Sequence, residues 1–194
     1  MIRQTPLDIQ GDSALARTQQ KSFEWYTPAR YVSAVRDVMG GIDVDPASSS
    51  LANTVIQAAV YYDKDSNGLV HDWPGRVYLN PPYCRTHHVS NQEIWTCRLI
   101  AQYEAGITTQ AILLVNASTD TGWFQRLWSY PICFTNHRIN FWSLDNERGG
   151  PTHGSAFVYF GRDCDRFVSA FSRFGVVVRR VCPVEQTLWQ EGTF

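Results

Sequence analysis

Asn80-Pro81-Pro82-Tyr83 follows the short apolar run Val77-Tyr78-Leu79. A residue before proline is pushed towards extended backbone, and Pro81 and Pro82 each fix φ and give up an N–H. The segment is therefore stiff and rich in acceptors. The Asn80 side-chain oxygen and the Pro81 carbonyl can each take one hydrogen of a planar amino group. An exocyclic amine on an aromatic base is a poor nucleophile, because its lone pair is delocalised into the ring. Two acceptors at fixed angles favour a pyramidal nitrogen, an interaction made mainly in the transition state. Tyr83 can stack on the base, a contact worth ~1–3 kcal/mol. The chemistry that fits is methylation of a base amine, and a base in a duplex has to be flipped out to reach such a pocket.

A methyl donor needs a second set of residues. In an open parallel sheet, ligands sit beyond the carboxyl ends of the strands. Ile42-Asp43-Val44-Asp45-Pro46-Ala47-Ser48 reads as a short strand running into such a place. A carboxylate there can accept from ribose hydroxyls or face an ammonium group, both of which S-adenosylmethionine carries. Asp43 and Asp45 are alternate residues, so an extended segment points them to one side. Ala47, Ser48 and Ser49 are small enough for close backbone approach. Glu24-Trp25-Tyr26-Thr27-Pro28, just before the first predicted helix, is placed to close over the donor.

The elements that would position these groups follow from periodicity and punctuation. Residues 1–21 are polar without periodicity and read as a flexible arm, and residues 22–194 as one domain. Thr27-Pro28 reads as an N-cap and first helical residue. The helix keeps Tyr31, Val32, Val35, Val38 and Met39 on one face until Gly40-Gly41 stops it. Strands are expected over Ile42–Val44, Val77–Leu79, Ala111–Val115, Ile132–Phe134, Ile139–Trp142, Ala156–Phe160 and Val176–Val181. Helices are expected over Asn53–Ala59 and Trp123–Trp128. Another runs from the capping-box spacing at Ser90–Glu93 to Gly106, and a last one from Asp163 to Phe171 with Phe167, Val168 and Phe171 inward. Strands and helices alternate first, then strands crowd together. This order predicts a single α/β Rossmann-like domain, its sheet mostly parallel with an antiparallel edge.

Bulk properties narrow the class. The chain has 194 residues, 44% hydrophobic and 18% charged, and a net charge of −1. Nothing in that balance attracts nucleic acid globally, so DNA contact has to come from local patches. Arg138, Arg148, Arg162, Arg166 and Arg179-Arg180 are the candidates. Five cysteines without paired spacing point to a reduced, cytoplasmic chain, and no signal peptide or membrane-length apolar run is present. Cys84, His87, His88 and Cys97 bring soft ligands close together, but only one end has the tight spacing of a zinc site, so no metal is expected.

Taken together, these pieces resemble the phage-type DNA N-6-adenine methyltransferase family. The matching segments are Glu24-Trp25-Tyr26-Thr27-Pro28, Gly41-Ile42-Asp43-Val44-Asp45-Pro46-Ala47-Ser48, Asp65-Ser66-Asn67-Gly68-Leu69 with Trp73, and Asn80-Pro81-Pro82-Tyr83. Ile112–Val115, Thr119-Asp120-Thr121 with Trp123-Phe124, and Gly154-Ser155 ahead of Phe157–Gly161 continue the likeness, which covers roughly Phe23 to Gly175. It implies S-adenosylmethionine as donor, adenine in double-stranded DNA as acceptor, and direct in-line transfer. Carried over, Asn80, Pro81, Pro82 and Tyr83 hold the target amine. Trp25, Thr27, Pro28, Asp43, Asp45, Pro46, Ala47 and Ser48 surround the donor, with Asn80 at its edge.

Two departures stand out. Asp45-Pro46-Ala47-Ser48 occupies the place of the usual glycine-rich loop. The acidic residue expected to hold the donor ribose after the second strand is open between Asp63, Asp65 and Asp72. No separate recognition domain fits in the length. DNA contact therefore falls to Arg85, His87 and His88 after the motif, and to Arg138 and Arg148 in a later insertion. The same pocket suits cytosine N4, and that alternative stays open. A non-catalytic DNA-binding module on this fold would be expected to lose pocket residues, yet all four are present.

Overall fold

The computed structural model describes residues 26–86, 89–142 and 153–181. Trp25, His87, His88 and Arg148, and the polar arm read over residues 1–21, lie outside the described residues.

In chain order the elements are α1 (Ala29–Met39), β1 (Val44–Asp45), α2 (Ser50–Ile56), β2 (Val60–Tyr61), β3 (Gly75–Leu79), β4 (Arg85–Thr86), β5 (Val89–Ser90), α3 (Asn91–Glu104), β6 (Thr108–Asn116), α4 (Gly122–Gln125), β7 (Ile132–Thr135), β8 (Ser155–Phe160), α5 (Cys164–Phe171) and β9 (Gly175–Val178). The main sheet has seven strands in the order β2-β1-β3-β6-β8-β7-β9. β2, β1, β3 and β6 are parallel, and β8, β7 and β9 each run antiparallel to their neighbours. β4 and β5 form a separate hairpin directly after the Asn80 motif. The α/β prediction holds, with more antiparallel sheet than a single edge strand.

Period-2 alternation divides the core between the two faces of this sheet. Tyr78, Ile112, Leu114, Phe157 and Tyr159 pack on one side against α1, α2 and α5. Val77, Leu79, Leu113, Val115 and Val158 pack on the other against α3, α4 and Trp73. Burial on both faces is why β3 and β6 read as unbroken apolar runs. α1 stops where predicted, with Gly40 in the left-handed region at φ 75° and its N–H on Arg36 O.

Several local expectations are corrected. Pro28, not Thr27, is the N-cap of α1, and the Thr27 hydroxyl bonds elsewhere. Ser90 is the N-cap of α3 as expected, but its side chain makes no cap bond; Gln92 Oε1 accepts from Asn116 N–H. Ile139–Trp142 is no strand; only Trp142 bridges, to Tyr26. Val168 faces outward at 41% exposure, since the i, i+4 pair Phe167 and Phe171 already fills the face against Tyr159 and Phe157. α2 starts and ends earlier than predicted, capped by the Ser49 side chain on Ala52 N–H. β2 carries no apolar-inward pattern, and both its residues are exposed at the sheet edge.

Asp43 is the largest revision. Ile42 packs in the core of one face and Val44 in that of the other, so strict alternation breaks between them. Asp43 consequently turns away from Asp45. It accepts Arg76 Nη2 at 2.6 Å, Arg76 Nε at 2.9 Å and Arg76 N–H at 2.8 Å, tying β1 to β3 at their amino ends. The Arg76 guanidinium holds this carboxyl below its ordinary range. The pair is more than a third exposed, so solvent weakens it. Replacing Asp43 with Asn is expected to lower stability by no more than ~1 kcal/mol in urea denaturation at neutral pH. A lowered folded pKa contributes stability above the ordinary carboxylate pKa and loses it as the medium is acidified, so the difference should vanish in acid.

Candidate active site

A cleft of about 380 Å³ opens at the carboxyl ends of β1 and β3. This is where the chain order reverses: β2 is added on one side of β1, and β3 on the other. Crevices of that kind are the usual ligand positions of open α/β sheets. Asp45, Pro46, Ala47 and Ser48 form one wall, continued by α2. Asn80, Pro81, Pro82 and Tyr83 form the facing wall, continued by Cys84 and by Asn91 and Trp95 of α3. Tyr26 and Thr27 close one end; Asp63, Lys64, Asn67 and Gly68 line another part of the wall.

Asp45 is 1% exposed. Its carboxylate accepts a long bond from Ala47 N–H at 3.3 Å, and the Ser48 hydroxyl lies beside it, close enough to favour its charged form. Burial pushes its pKa up to about 7, against the smaller opposing effects of Ser48 and Ala47. Ser48 Oγ is itself buried without a partner. A buried carboxylate with no cation beside it among the described residues, next to a buried hydroxyl without a full hydrogen bond, is a pair of polar groups that the fold itself does not need. They fit a ligand that brings a cationic or hydroxyl-bearing end.

The Asn80 carboxamide is held at both ends. Tyr83 Oη donates to Asn80 Oδ1 at 2.9 Å, and Asn80 Nδ2 points to Thr27 Oγ1 at 3.4 Å. Thr27 Oγ1 in turn shares a 2.7 Å bond with Tyr78 Oη. Burial pushes the Tyr83 phenol upward, and the same is true of Tyr78. Both therefore remain neutral hydroxyls. Tyr83 also meets the edge of Phe141, with ring centroids 6.0 Å apart. Trp142, the next residue, stacks on Tyr26 at 4.4 Å. Phe141 and Trp142 thus flank the cleft beside the Asn80 motif.

Most of the sequence-derived constellation comes together here. Asn80, Pro81, Pro82, Tyr83, Thr27, Asp45, Pro46, Ala47 and Ser48 all line the cleft. Pro28 starts α1 just behind it, and Asp43 stands outside it with Arg76. Of the three acidic candidates after the second strand, Asp63 lines the cleft, whereas Asp65 and Asp72 do not. Asp63 Oδ1 is engaged by Asp65 N–H, Ser66 N–H and the Ser66 hydroxyl, which holds it below its ordinary pKa. Arg85 lies on the β4–β5 hairpin and Arg138 just after β7, both exposed. Among the described residues no cluster of three or more metal-type ligands forms, and no helix is long and apolar enough to cross a membrane.

Several contributors escaped sequence reading. Lys64 and Trp95 carry no local signal that points to a pocket. Tyr78 looked like an ordinary strand residue, although two-residue spacing from Asn80 places both on one face. Gly68 was visible only as part of a motif. A Cβ there would lie 2.0 Å from the Pro46 carbonyl oxygen, so the loop can pass the Asp45 turn only as glycine.

A family model for DNA N-6-adenine-methyltransferase (Dam) matches residues 15–160. No curated protein and no solved structure matches the chain. The match takes in well over half of the 194 residues, and with them both walls of the cleft: the chain belongs to the DNA N-6-adenine-methyltransferase family.

Proposed function

We propose that this chain methylates N6 of an adenine flipped out of double-stranded DNA, with S-adenosylmethionine as donor. The observation that carries the reading is the Asn80-Pro81-Pro82-Tyr83 wall facing a buried, uncompensated Asp45 across one cleft, in a chain of this family. When bound, S-adenosylmethionine supplies a methyl group already activated by a sulfonium. Asp45 and the orphaned Ser48 hydroxyl are suited to its polar groups, and Asp63, at the end of β2, to its ribose hydroxyls. Pro46 and Ala47 supply the close wall, and Thr27 the end next to Asn80.

On the acceptor side, Asn80 Oδ1 and the Pro81 carbonyl take the two amine hydrogens. Oδ1 has two lone pairs and can accept the amine beside the Tyr83 hydroxyl or in its place. The Tyr83 ring covers the base face. These residues drive the nitrogen towards a pyramidal form, so their contribution falls on the chemical step rather than on ground-state binding. Attack would be direct, N6 bonding the methyl carbon as its bond to sulfur breaks and the surplus amine proton then passing to water, without a covalent link to the chain. Arg85 and Arg138, on segments that adjoin the cleft, reach DNA phosphates and orient the duplex.

The direct test is transfer of tritium from labelled S-adenosylmethionine to unmethylated DNA, followed by nucleoside analysis. Label in N6-methyladenine is expected; label in N4-methylcytosine alone would replace the acceptor, and donor binding without transfer would remove the catalytic reading. Replacing Asn80 with Ala should reduce turnover on the order of 10²-fold or more while donor affinity by calorimetry changes little.

Asp45 gives the pH dependence its sign. With a folded pKa raised to about 7, the neutral acid stabilises the empty protein in acid, and that contribution is lost as pH rises through about 7. A donor that needs the carboxylate should therefore bind more tightly as pH rises to about 7 and level off above it. The Asp45→Asn variant should bind weakly with a flat profile in calorimetry across this range.

Replacing Arg85 or Arg138 with Ala should weaken DNA binding for every sequence alike and lower the slope of log K against log salt by about 1 per residue.

A further inference from the structure

Tyr78 is fully buried on β3, yet its hydroxyl is not spent on the core. Residues two apart in a strand share a face, so Tyr78 and Asn80 both turn towards the side of the sheet where the chain enters α1. Thr27 stands between them at that point. It is 3% exposed, lies within 2.7 Å of Tyr78 Oη and accepts Asn80 Nδ2 at 3.4 Å. This explains why Thr27 is diverted from capping α1. Its hydroxyl is the middle member of a chain that runs from the sheet interior to the carboxamide facing the cleft.

The consequence concerns which way round that carboxamide sits. An asparagine side chain presents oxygen on one edge and an NH₂ on the other, and only the oxygen can accept a hydrogen from a substrate amine. A rotation of the terminal torsion by half a turn would exchange the two edges, and that torsion is intrinsically soft. In the present arrangement an acceptor, Thr27 Oγ1, lies on the Nδ2 edge, and a donor, Tyr83 Oη, lies on the Oδ1 edge. When an adenine displaces the Tyr83 hydroxyl from Oδ1, the bond to Thr27 still holds the Nδ2 edge. Thr27 can favour Nδ2 only with a lone pair turned towards it, and the 2.7 Å bond with Tyr78 Oη, in which either hydroxyl can donate, is what fixes the rotation of the Thr27 hydroxyl.

We propose that Tyr78 is a positioning residue for methyl transfer: through Thr27 it fixes the Asn80 carboxamide with Oδ1 towards the substrate amine. The phenol of Tyr78 is held far above its ordinary pKa by burial, so it stays a neutral hydroxyl that holds Thr27 as donor or acceptor. Tyr78 is not among the residues that line the cleft, so it acts without touching donor or base. This rests on the function proposed above, since it presupposes that Asn80 Oδ1 receives the amine.

The experiment compares wild type, Tyr78→Phe, Thr27→Val and the double variant at saturating donor and DNA, with donor affinity read separately by calorimetry. Phenylalanine keeps the ring in the core and removes only the oxygen. Tyr78→Phe is expected to lower kcat on the order of tenfold, the effect of losing one orienting hydrogen bond, with donor affinity within about twofold of wild type. The double variant should be no slower than Thr27→Val alone, because both changes break one chain. An unchanged kcat in Tyr78→Phe overturns the proposal. So does a loss of kcat matched by an equal loss of donor affinity, which would mark a merely structural residue, and so does an additive double variant. Wild type that transfers no label to adenine would instead bring down the proposed function itself, which keeps the two failures apart.

Discussion

The parallel pairing of β1 with β3, registered at Val44 on Val77, is the constraint on which the rest of the molecule depends. It places the carboxyl ends of two strands side by side although 34 residues of chain lie between Asp45 and Asn80. Parallel neighbours cannot be joined by a tight turn, so the connection has to cross over through α2 and β2 before returning. That crossover sends β2 to the far side of β1 and leaves a crevice between the β1 and β3 ends. Core packing on both faces then holds the two strands in place, with Val44, Val77 and Leu79 on one side and Tyr78 and Ile42 on the other. The walls of the cleft are loops, but each is the immediate continuation of a buried strand.

Within this frame, two carboxylates of the same short segment are treated in opposite ways. Asp43 is half-exposed, bidentate with Arg76, and held as an anion. Asp45 is buried, has no cationic partner among the described residues, and is pushed towards neutrality. The first stabilises the fold modestly. The second is destabilising as an anion until something brings a compensating group, which is the pattern expected of a ligand site. The Asn80 end shows the complementary logic. There, every polar atom of the carboxamide that can orient it is met by a hydroxyl, and the prolines that follow leave the backbone little freedom to reorganise.

Much of this was legible in the residues. The α1 face, the Gly40 stop, the buried strand over Ala111–Val115 and the Asp163 cap are all local signals, and all appear as read. The expectations that failed share a cause. Thr27 as a cap, Ser90 as the start of a capping box and Val168 as an inward residue were each reasonable for an isolated helix. In the fold, Thr27 finds Tyr78, Ser90 pairs in the hairpin without a side-chain cap bond, and Val168 finds no neighbour left to pack against. At Thr27 a buried, non-local bond replaces the local cap.

The sequence by itself determined the acceptor wall. Two consecutive prolines constrain the backbone covalently, so Asn80-Pro81-Pro82-Tyr83 is stiff and acceptor-rich in any surroundings. It also determined the family, because order and spacing of motifs survive without coordinates. Only the tertiary structure decided which of Asp43 and Asp45 enters the cleft, which acidic residue after β2 lines it, and that Tyr78 reaches Asn80 through Thr27. Those outcomes depend on burial and on partners dozens of residues away. Desolvation and hydrogen bonding are properties of a position in space, and no local pattern encodes them.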